Sequence, residues 1–419
     1  MSETLPDHQE TLEEIDSIPL ADIAPGRADR FQKNTIFPVF ARLRKEDPVH
    51  YTASSEWGPY WSITRFRDIM AVEQDHKNFS SETGGIVIGD PEEDFKFENF
   101  ITMDPPKHDK QRMTVTGVVA PRNLVKLEGT IRGRVATILD SLPRDEEFDW
   151  VDRVSIELTT QMLAILFDFP FEERRKLTYW SDMATATPQV GNTSVTQDER
   201  RTALLECLEY FTRLFNERGA KEPGENLDLI SMLAHGEATK NMPPMEFLGN
   251  LILLIVGGND TTRNSISGGV VALNENPAEY EKLRNDPKLV PSMVSEIIRW
   301  QTPLAYMRRT VNSDLVFAGK QMKAGDKVVM WYVSGNRDED EIDRADEFII
   351  DRKNPRHHLS FGFGIHRCMG NRLAEMQLRI VWEEILKRFH TVAVVGRPVR
   401  TESNFVRGFQ KLPVRLHSV

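Results

Sequence analysis

Apolar residues recur at helical spacing along most of the chain, and Pro, Asn and Asp separate the periodic segments. The spacing predicts a set of helices that includes 123–142, 154–166, 196–218 and 371–388. Short apolar runs beside turn residues predict strands at 60–64, 315–318 and 328–333. No repeat, low-complexity tract or Pro/Gly/Ser linker interrupts this pattern, so it indicates a mainly α-helical fold with a minor β-sheet region in one large domain.

One predicted helix carries polar residues where its surroundings are apolar. No proline interrupts the chain between Pro244 and Pro277, and a helix over that stretch would be about 45 Å long. Its flanks are apolar on all sides, which is typical of a helix through the middle of a protein. Its centre, 257–262, reads Gly-Gly-Asn-Asp-Thr-Thr. Two glycines cost roughly 2 kcal/mol of helix propensity, and a buried carboxylate costs more unless it has partners. Such a conflict predicts a functional site.

Composition and charge exclude several classes of protein. A length of 419 residues by itself suggests two or three domains, and 40% apolar with 28% charged residues is typical of a globular chain. A net charge of −11 argues against nucleic-acid binding. The start is acidic, with no Lys or Arg before Arg27, and the longest apolar run, 251–256, is far shorter than the roughly 20 residues of a membrane span. We therefore expect a cytoplasmic protein with a loosely held acidic arm at 1–26 and a single domain at 27–419.

The two cysteines, Cys207 and Cys368, are too few for a disulfide framework. Cys207 lies in an apolar stretch with helical spacing, so we expect it to be a small buried side chain of the core, as a lone cysteine usually is. Cys368 lies in Phe-Gly-Phe-Gly-Ile-His-Arg-Cys-Met-Gly, directly before a predicted helix. Glycines allow backbone N–H groups to turn towards a thiolate and allow a flat ring to approach closely, so this loop favours a metal ligand. It does not fit a dinucleotide fingerprint, because Arg367 occupies the third glycine position.

The cysteine loop resembles the haem-binding signature of the cytochrome P450 family, Phe-Gly-x-Gly-x-His-x-Cys-x-Gly, at every fixed position. Three more segments resemble that family's motifs in the same chain order: its Asp-x-Pro-x-His-x-x-x-Arg segment at 104–112, its oxygen-groove motif at 257–262 and its Glu-x-x-Arg motif at 296–299. The resemblance implies a cytochrome P450 fold and monooxygenase activity. It also implies haem b between the long central helix and the cysteine-loop helix, with the Cys368 thiolate as the axial ligand of the iron.

The resemblance also assigns roles to polar residues. It implies that four residues bind the haem propionates: His108, Arg112, Arg309 and His366. Arg308 is the alternative to Arg309. Each of these residues taken alone could also be a solvated surface charge. It makes Glu296 and Arg299 a structural pair. Thr261 would position a hydrogen bond to dioxygen and back-bond to the Gly257 carbonyl, while Asp260 relays protons from solvent. A Ser/Thr kink in a structural helix is the other explanation of this pair.

The substrate follows from two weaker signals. Positions that match the family's pocket are mostly aliphatic, as core packing would also be: Ile86, Val87, Ile88, Leu253, Val256, Gly257, Leu304, Ala305, Met307 and Phe409. The segment 255–265, with Asn259 directly before the acid, resembles bacterial hydroxylases that oxidise the terminal carbon of medium-chain alkanes and fatty acids. We therefore expect terminal hydroxylation of a linear aliphatic chain. The alternatives are a terpenoid or steroid hydroxylase, a peroxide-driven hydroxylase, or a non-catalytic haem-binding sensor.

The partners are also expectations. No flavin or nucleotide domain fits in the chain, so the resemblance implies electrons from a separate ferredoxin and ferredoxin reductase, with O₂ as co-substrate. Four cations surround the cysteine loop and form either a docking face for an acidic ferredoxin or a solvated charge cluster: Lys353, Arg356, Arg367 and Arg372. We expect a monomer.

Overall fold

The computed structural model describes residues 12–93, 95–191, 193–222 and 228–418. The helices of these ranges, in chain order, are α1 (Leu12–Ser17), α2 (Ala28–Lys33), α3 (Phe37–Glu46), α4 (Phe66–Gln74), α5 (Lys107–Thr116), α6 (Pro121–Asp140), α7 (Glu157–Phe167), α8 (Arg175–Thr185), α9 (Gln197–Gly219), α10 (Leu229–His235), α11 (Pro244–Glu275), α12 (Pro277–Asn285), α13 (Val290–Gln301), α14 (Tyr332–Gly335) and α15 (Asn371–Arg388). The strands are β1 (Val49–Thr52), β2 (Tyr60–Ile63), β3 (Phe79–Ser80), β4 (Phe148–Asp149), β5 (Met307–Val311), β6 (Leu315–Phe317), β7 (Lys320–Met322), β8 (Lys327–Met330), β9 (Phe389–Val394), β10 (Val399–Arg400), β11 (Phe409–Lys411) and β12 (Pro413–Ser418).

The mainly α-helical fold expected from the sequence is confirmed. The helix predicted at 371–388 has the bounds of α15, and the other three predicted helices correspond to α6, α7 and α9. Thr196 caps α9, because its hydroxyl accepts the Glu199 N–H at 3.2 Å while the Glu199 carboxylate accepts the Thr196 N–H at 2.8 Å. A π-helical turn at Val151–Ile156 leads into α7, which therefore begins later than predicted.

The largest sheet has the order β1-β2-β8-β5-β3, and its pairs are antiparallel except for β2 with β8. The strand predicted at 328–333 ends earlier, because Trp331 turns the chain into α14. Strand β5 was not predicted from the sequence. All of its residues are buried, yet two of them, Arg308 and Arg309, are cations that hide the apolar pattern of a buried strand.

Helix α11 runs through the centre of the fold, as the apolar flanks of its segment predict. It packs against α7, α8, α13 and α15. A Cβ at Gly269 would lie 2.8 Å from a methyl of Ile297 on α13, so glycine allows these two helices to approach closely. The largest apolar cluster of the core surrounds α11, and a second cluster fills the space beside the five-stranded sheet.

The described part of the N-terminal arm is packed on the domain. Ile15 and Ile23 are 1% and 2% exposed, and they form a small cluster with two apolar residues of α3. Arg42 Nη1 donates to the carbonyl oxygens of Ile15 and Ile18, each at 2.6 Å. These contacts hold Ile15, Ile18 and Ile23 against the domain, and residues 1–11 of the expected arm lie outside the described residues. Within the described ranges, no helix has both the length and the apolar character that a bilayer crossing requires.

Candidate active site

A cavity of about 430 Å³ lies between α11 on one side and the cysteine loop with the start of α15 on the other. Gly257 and Thr261 of α11 and Cys368 of the loop all line it. The Cys368 N–H donates to the Phe361 carbonyl at 2.8 Å, which closes the loop on itself. The fold thus places the cysteine opposite the polar centre of the long helix, as the sequence predicts.

The Cys368 sulfur lies inside the protein body, and its exposed surface faces the cavity. Burial raises the pKa of the thiol, while hydrogen bonds from the Gly370 and Asn371 N–H groups and the charges of Arg112 and Arg367 lower it. Burial has the larger effect, so the pKa of the thiol is raised overall, and these N–H groups and charges limit the rise. Cys207 is fully buried in α9 and does not line the cavity, and burial raises the pKa of its thiol far above the usual range with no cation or N–H group among the described residues to oppose it.

Glycine is required within the cysteine loop. Gly364 has φ of +65°, and a Cβ there would lie 2.3 Å from the carbonyl oxygen of Glu73 on α4. On the opposite wall, a Cβ at Gly257 would meet no described atom within 4 Å, so this side of α11 leaves space above the cysteine.

Two predicted arginines, Arg112 and Arg309, line the same cavity as Cys368. Arg112 donates to the Arg367 carbonyl, and Arg309 donates to Glu73 at 3.2 Å. Consecutive side chains of a strand point to opposite faces, so Arg308 points away from the cavity and donates to Asp90 at 2.9 Å. Of the two neighbouring arginines, Arg309 is therefore the one that lines the cavity.

The two predicted histidines form one cluster with these cations. His366 lines the cavity, and His108 packs on it edge to face with ring centroids 4.4 Å apart. Burial and the positive charges of Arg309, His108 and Arg112 lower the pKa of His366 to about 2. In the described part of the chain, Nδ1 of His366 and Nε2 of His108 are buried without a hydrogen-bond partner. A cationic cluster with orphaned ring nitrogens beside a thiol and an open glycine face fits haem b, whose propionates are anionic.

Thr261 and Asp260 differ in their exposure to the cavity. Thr261 lines it and donates its hydroxyl to the Gly257 carbonyl at 2.9 Å, and α11 nevertheless continues without a break. Asp260 is fully buried and does not line the cavity, and it lies 3.0 Å from Arg263 and 3.2 Å from the Asn259 amide nitrogen. Burial raises the pKa of Asp260 to about 6 against the lowering effect of Arg263. Its Oδ2 has no hydrogen bond of normal geometry within the described residues, although the Ser181 hydroxyl of α8 is close enough to lower the pKa of Asp260.

Two residues to which the sequence analysis gave no role hold Asp260 and connect it to the surface. Arg263 donates to Asp182 of α8 at 2.7 Å, and the Asp182 side chain is 50% exposed. Asn259 fixes Asp260 from the inner side, since its amide oxygen accepts from Thr159 of α7 at 2.7 Å. Asp260 and Arg263 are three residues apart on one helix, so their ion pair could have been predicted from the sequence.

Glu296 and Arg299 form a structural pair outside the cavity lining. Arg299 binds both carboxylate oxygens of Glu296 at 2.7 and 2.8 Å. It also donates to the carbonyls of Asn336, Ala345 and Glu347, and both partners of the pair are at most 1% exposed. The pair joins α13 to the chain that precedes the cysteine loop and does not contact the site.

The cavity contains most of the predicted substrate positions. Those that line it are Ile86, Val87, Leu253, Val256, Gly257, Leu304 and Met307. Ile88, Ala305 and Phe409 do not line it, because each is packed in the core at 3% exposure or less. Phe405 lines the cavity where Phe409 was expected. Further apolar lining residues come from segments that carry no motif: Phe95, Phe97, Phe100, Met162, Leu163 and Leu166.

Glu73 and Tyr332 are polar groups of the site that the sequence analysis missed. Glu73 is buried on α4, where it accepts from Tyr332 and from Arg309, and Tyr332 lines the cavity. Burial raises the pKa of Glu73, opposed by the charge of Arg309. The sequence does contain a signal for Glu73. Glu73 lies seven residues after Phe66, on the apolar face of the same helix, where a buried acid is unexpected.

Comparison with known proteins agrees with this geometry. A solved structure, cytochrome P450-153 from Novosphingobium aromaticivorans, superposes with a TM-score of 0.87 at 46% identity and covers 94% of this chain and 99% of its own. Linalool 8-monooxygenase of Pseudomonas putida is 34% identical over 93% of this chain and 97% of its own length. Methyl-branched lipid omega-hydroxylase of Mycobacterium tuberculosis is 30% identical over 95% of each chain.

The family model of cytochrome P450 matches residues 28–415. Members of that family carry haem b on a cysteine thiolate. The chain therefore belongs to the cytochrome P450 family and is a haem-dependent monooxygenase.

Proposed function

We propose that this monooxygenase hydroxylates the terminal carbon of a medium-chain alkane or fatty acid, using O₂ and electrons from a ferredoxin. The observation that carries the proposal is the cavity wall on the substrate side, which consists mainly of aliphatic and aromatic side chains. A long apolar wall with few hydrogen-bond donors favours a flexible aliphatic chain held by shape. Leu253, Gly257 and Thr261 follow at intervals of four on one face of α11, so a chain that lies along this face leads to Thr261.

Two resemblances support a terminal position of attack. The segment 255–265 is similar to that of bacterial terminal hydroxylases, and one relative is a methyl-branched lipid omega-hydroxylase. The linalool 8-monooxygenase relative favours a second candidate, an acyclic terpenoid. A terminal methyl is harder to attack than the neighbouring methylene, so regioselectivity for it requires steric restriction of the kind that Leu253 and Leu304 provide.

Cys368 would hold the haem iron through its thiolate, and Arg112, Arg309, His108 and His366 would hold the propionates. Haem, when bound, supplies reductive activation of O₂ and insertion of one oxygen atom into a C–H bond. The chain contributes charge and orientation. Arg112 and Arg309 line the cavity as cations, while His366 provides a neutral ring whose Nδ1 has no partner among the described residues. His108 supports the His366 ring from behind.

Asp260 and Thr261 deliver protons to the cavity. Asp260 takes a proton from water at the Asp182 side of α8 and releases it from Oδ2 towards Thr261, whose hydroxyl lies at the cavity wall. Arg263 stays charged throughout and holds Asp260 by its ion pair rather than carrying the proton. A haem-binding sensor needs no such route, so the Asp260–Thr261 arrangement favours the enzyme.

A ferredoxin is the electron donor in this proposal. Lys353, Arg367 and Arg372 are exposed around the cysteine loop, and Arg356 is exposed as well but pairs with Glu375 at 2.8 Å. This group of cations is a local basic surface on a protein of net charge −11, which suits an acidic partner.

The test is a titration of the haem-loaded protein with alkanes, fatty acids and terpenoids of graded length, followed by product analysis. We expect linear chains to displace water from the haem, which changes its spin state, and to give the terminal alcohol as the main product. A response to terpenoids or steroids alone would refute the linear-chain assignment. A bound chain that is never oxidised by O₂ and a reduced ferredoxin would favour the sensor.

A further inference from the structure

Arg200 is a buried cation in the wall of an otherwise mainly apolar cavity. It lies in the first turn of α9, lines the cavity and is 9% exposed. Its Nη1 donates to the Glu92 carboxylate at 3.4 Å, which is a long contact for an ion pair. Its Nε is buried and has no partner in the ranges that the structure describes. The guanidinium is thus desolvated and only weakly paired.

Arg299 in the same protein shows what a satisfied buried guanidinium looks like. Arg299 makes five hydrogen bonds of 2.7 to 2.9 Å with a carboxylate and three carbonyls. Arg200 makes a single one to the residues that the structure describes. Buried polar groups are nearly always hydrogen-bonded, because an unsatisfied donor keeps its full desolvation penalty. An acceptor that enters the cavity would remove that penalty at Arg200.

Neighbouring carboxylates do not fill this role. Glu92 is shared, since its other oxygen accepts from Arg201 at 3.3 Å. Glu98 lines the cavity but accepts from Lys107 at 3.0 Å. Glu82 lies at the haem side, next to Ser81, whose hydroxyl contacts His366 at 3.1 Å. Lys96, a further lining residue, adds positive charge close to Glu92 in the sequence.

We propose that Arg200 binds the carboxylate of a fatty acid whose apolar chain fills the cavity towards Thr261. This inference rests on the proposed hydroxylation of linear chains and selects fatty acids over alkanes within it. An amphiphile matches the wall, since the apolar lining accepts the chain and the guanidinium accepts a planar anionic head group through two parallel hydrogen bonds. Arg200 contacts Glu92 and none of the propionate cations, so the head group and the haem use separate arginines.

The test compares three ligands of equal chain length: dodecanoic acid, its methyl ester and dodecane. Dissociation constants are measured by calorimetry and by the haem spin-state change, with the haem-loaded protein and its variants. We expect Arg200→Gln to weaken binding of the acid by roughly 10- to 100-fold and to leave ester and alkane within about twofold. Arg201→Gln is the matched control, because Arg201 shares Glu92 but does not line the cavity, and we expect it to bind all three ligands normally.

Glu92→Gln distinguishes a carboxylate-binding role of Arg200 from a purely structural ion pair between Arg200 and Glu92. It removes the carboxylate that competes for Arg200, so we expect the acid to bind more tightly. If Arg200→Gln and Glu92→Gln both weaken the binding of all three ligands equally, the Arg200–Glu92 pair is structural and the proposal is wrong. The proposal is also wrong if acid and alkane bind with equal affinity both to the unmodified protein and to Arg200→Gln. If the unmodified protein binds only terpenoids, the linear-chain function itself is wrong.

Discussion

Replacing Asp260 with Asn removes the proton-carrying group and preserves its shape. Asp260 is fully buried, and its pKa of about 6 leaves about one molecule in ten protonated at pH 7. The group can therefore both take and release a proton near neutral pH, which an amide cannot do. General acid–base groups contribute about 100- to 10,000-fold to rate, so we expect kcat to fall roughly 100-fold or more. Asp260 does not line the cavity, so ligand dissociation constants should not change.

The same substitution should stabilise the fold at neutral pH. The pKa of Asp260 is raised from 3.8 to about 6 on folding, so the folded state holds this proton more tightly than the unfolded state. The stability that results is fully present below pH 3.8 and is lost as pH rises through about 6. The loss is about 3 kcal/mol as an order of magnitude. We expect this part of the pH dependence to disappear in Asp260→Asn.

The assay measures product formation with saturating ferredoxin, the fraction of electrons recovered in product, and denaturant unfolding from pH 3 to 8. Asp182→Asn is the control, because that side chain is half exposed and water can replace it; we expect kcat to stay within a few-fold. A normal kcat for Asp260→Asn would refute the proton route. A parallel loss of kcat and of ligand binding would mean that Asp260 is structural.

Four further outcomes follow from the geometry. Cys368→Ser should abolish the strongly red-shifted absorption of the reduced carbon monoxide complex, and retention of that band would exclude Cys368 as the ligand. Arg299→Ala should lower the free energy of unfolding in denaturant by about 3 kcal/mol, because three carbonyls lose their donor and the buried Glu296 keeps, among the described residues, only Arg352 as an ion-pair partner. Leu253→Ala and Leu304→Phe should change the ratio of terminal to in-chain alcohols in chromatography of the products, and unchanged ratios would remove both residues from the path of the chain. Three cations outweigh the effect of burial and lower the pKa of Glu384 from 4.5 to about 2. The stability that Glu384 contributes is therefore present above pH 4.5 and is lost as the pH falls towards 2. In Glu384→Gln, the free energy of unfolding in denaturant should fall over this pH range by less than in the unmodified protein, by on the order of 1 kcal/mol.

Local motifs made the centre of the site predictable. The spacing of glycines around Cys368 and the i to i+4 relation of Gly257 and Thr261 are properties of short segments, and short segments adopt them largely irrespective of distant packing. The length of α11 followed from the absence of proline between residues 244 and 277. The cysteine loop and the polar centre of α11, which form the two walls of the cavity, were therefore predictable from the sequence alone.

The rest of the site depends on tertiary packing. Which of Arg308 and Arg309 faces the cavity is decided by the pleat of β5, a strand whose charges concealed it. Phe405 replaces Phe409 in the wall because the Phe409 N–H donates to Asn264 of α11 at 3.1 Å, a contact that ties β11 to the core. Arg200 carried no sequence signal, since a cation in the first turn of a helix is ordinarily a surface residue.

The polar centre of α11 shows where the fold retains an unfavourable group. Gly258 leaves space for the Leu163 side chain, since a Cβ at Gly258 would lie 2.8 Å from a Leu163 methyl. Gly257 leaves its face of the helix open to the cavity. Arg263 and Asn259 compensate Oδ1 of Asp260, and the Ser181 hydroxyl also favours its ionised form. Oδ2 nevertheless lacks a hydrogen bond of normal geometry among the described residues and carries most of the burial penalty. A helix selected for stability alone would carry an amide or an apolar side chain at this position. The expected gain in stability and loss of turnover in Asp260→Asn therefore have one cause, a buried carboxylate that the fold leaves half-satisfied so that it can exchange a proton.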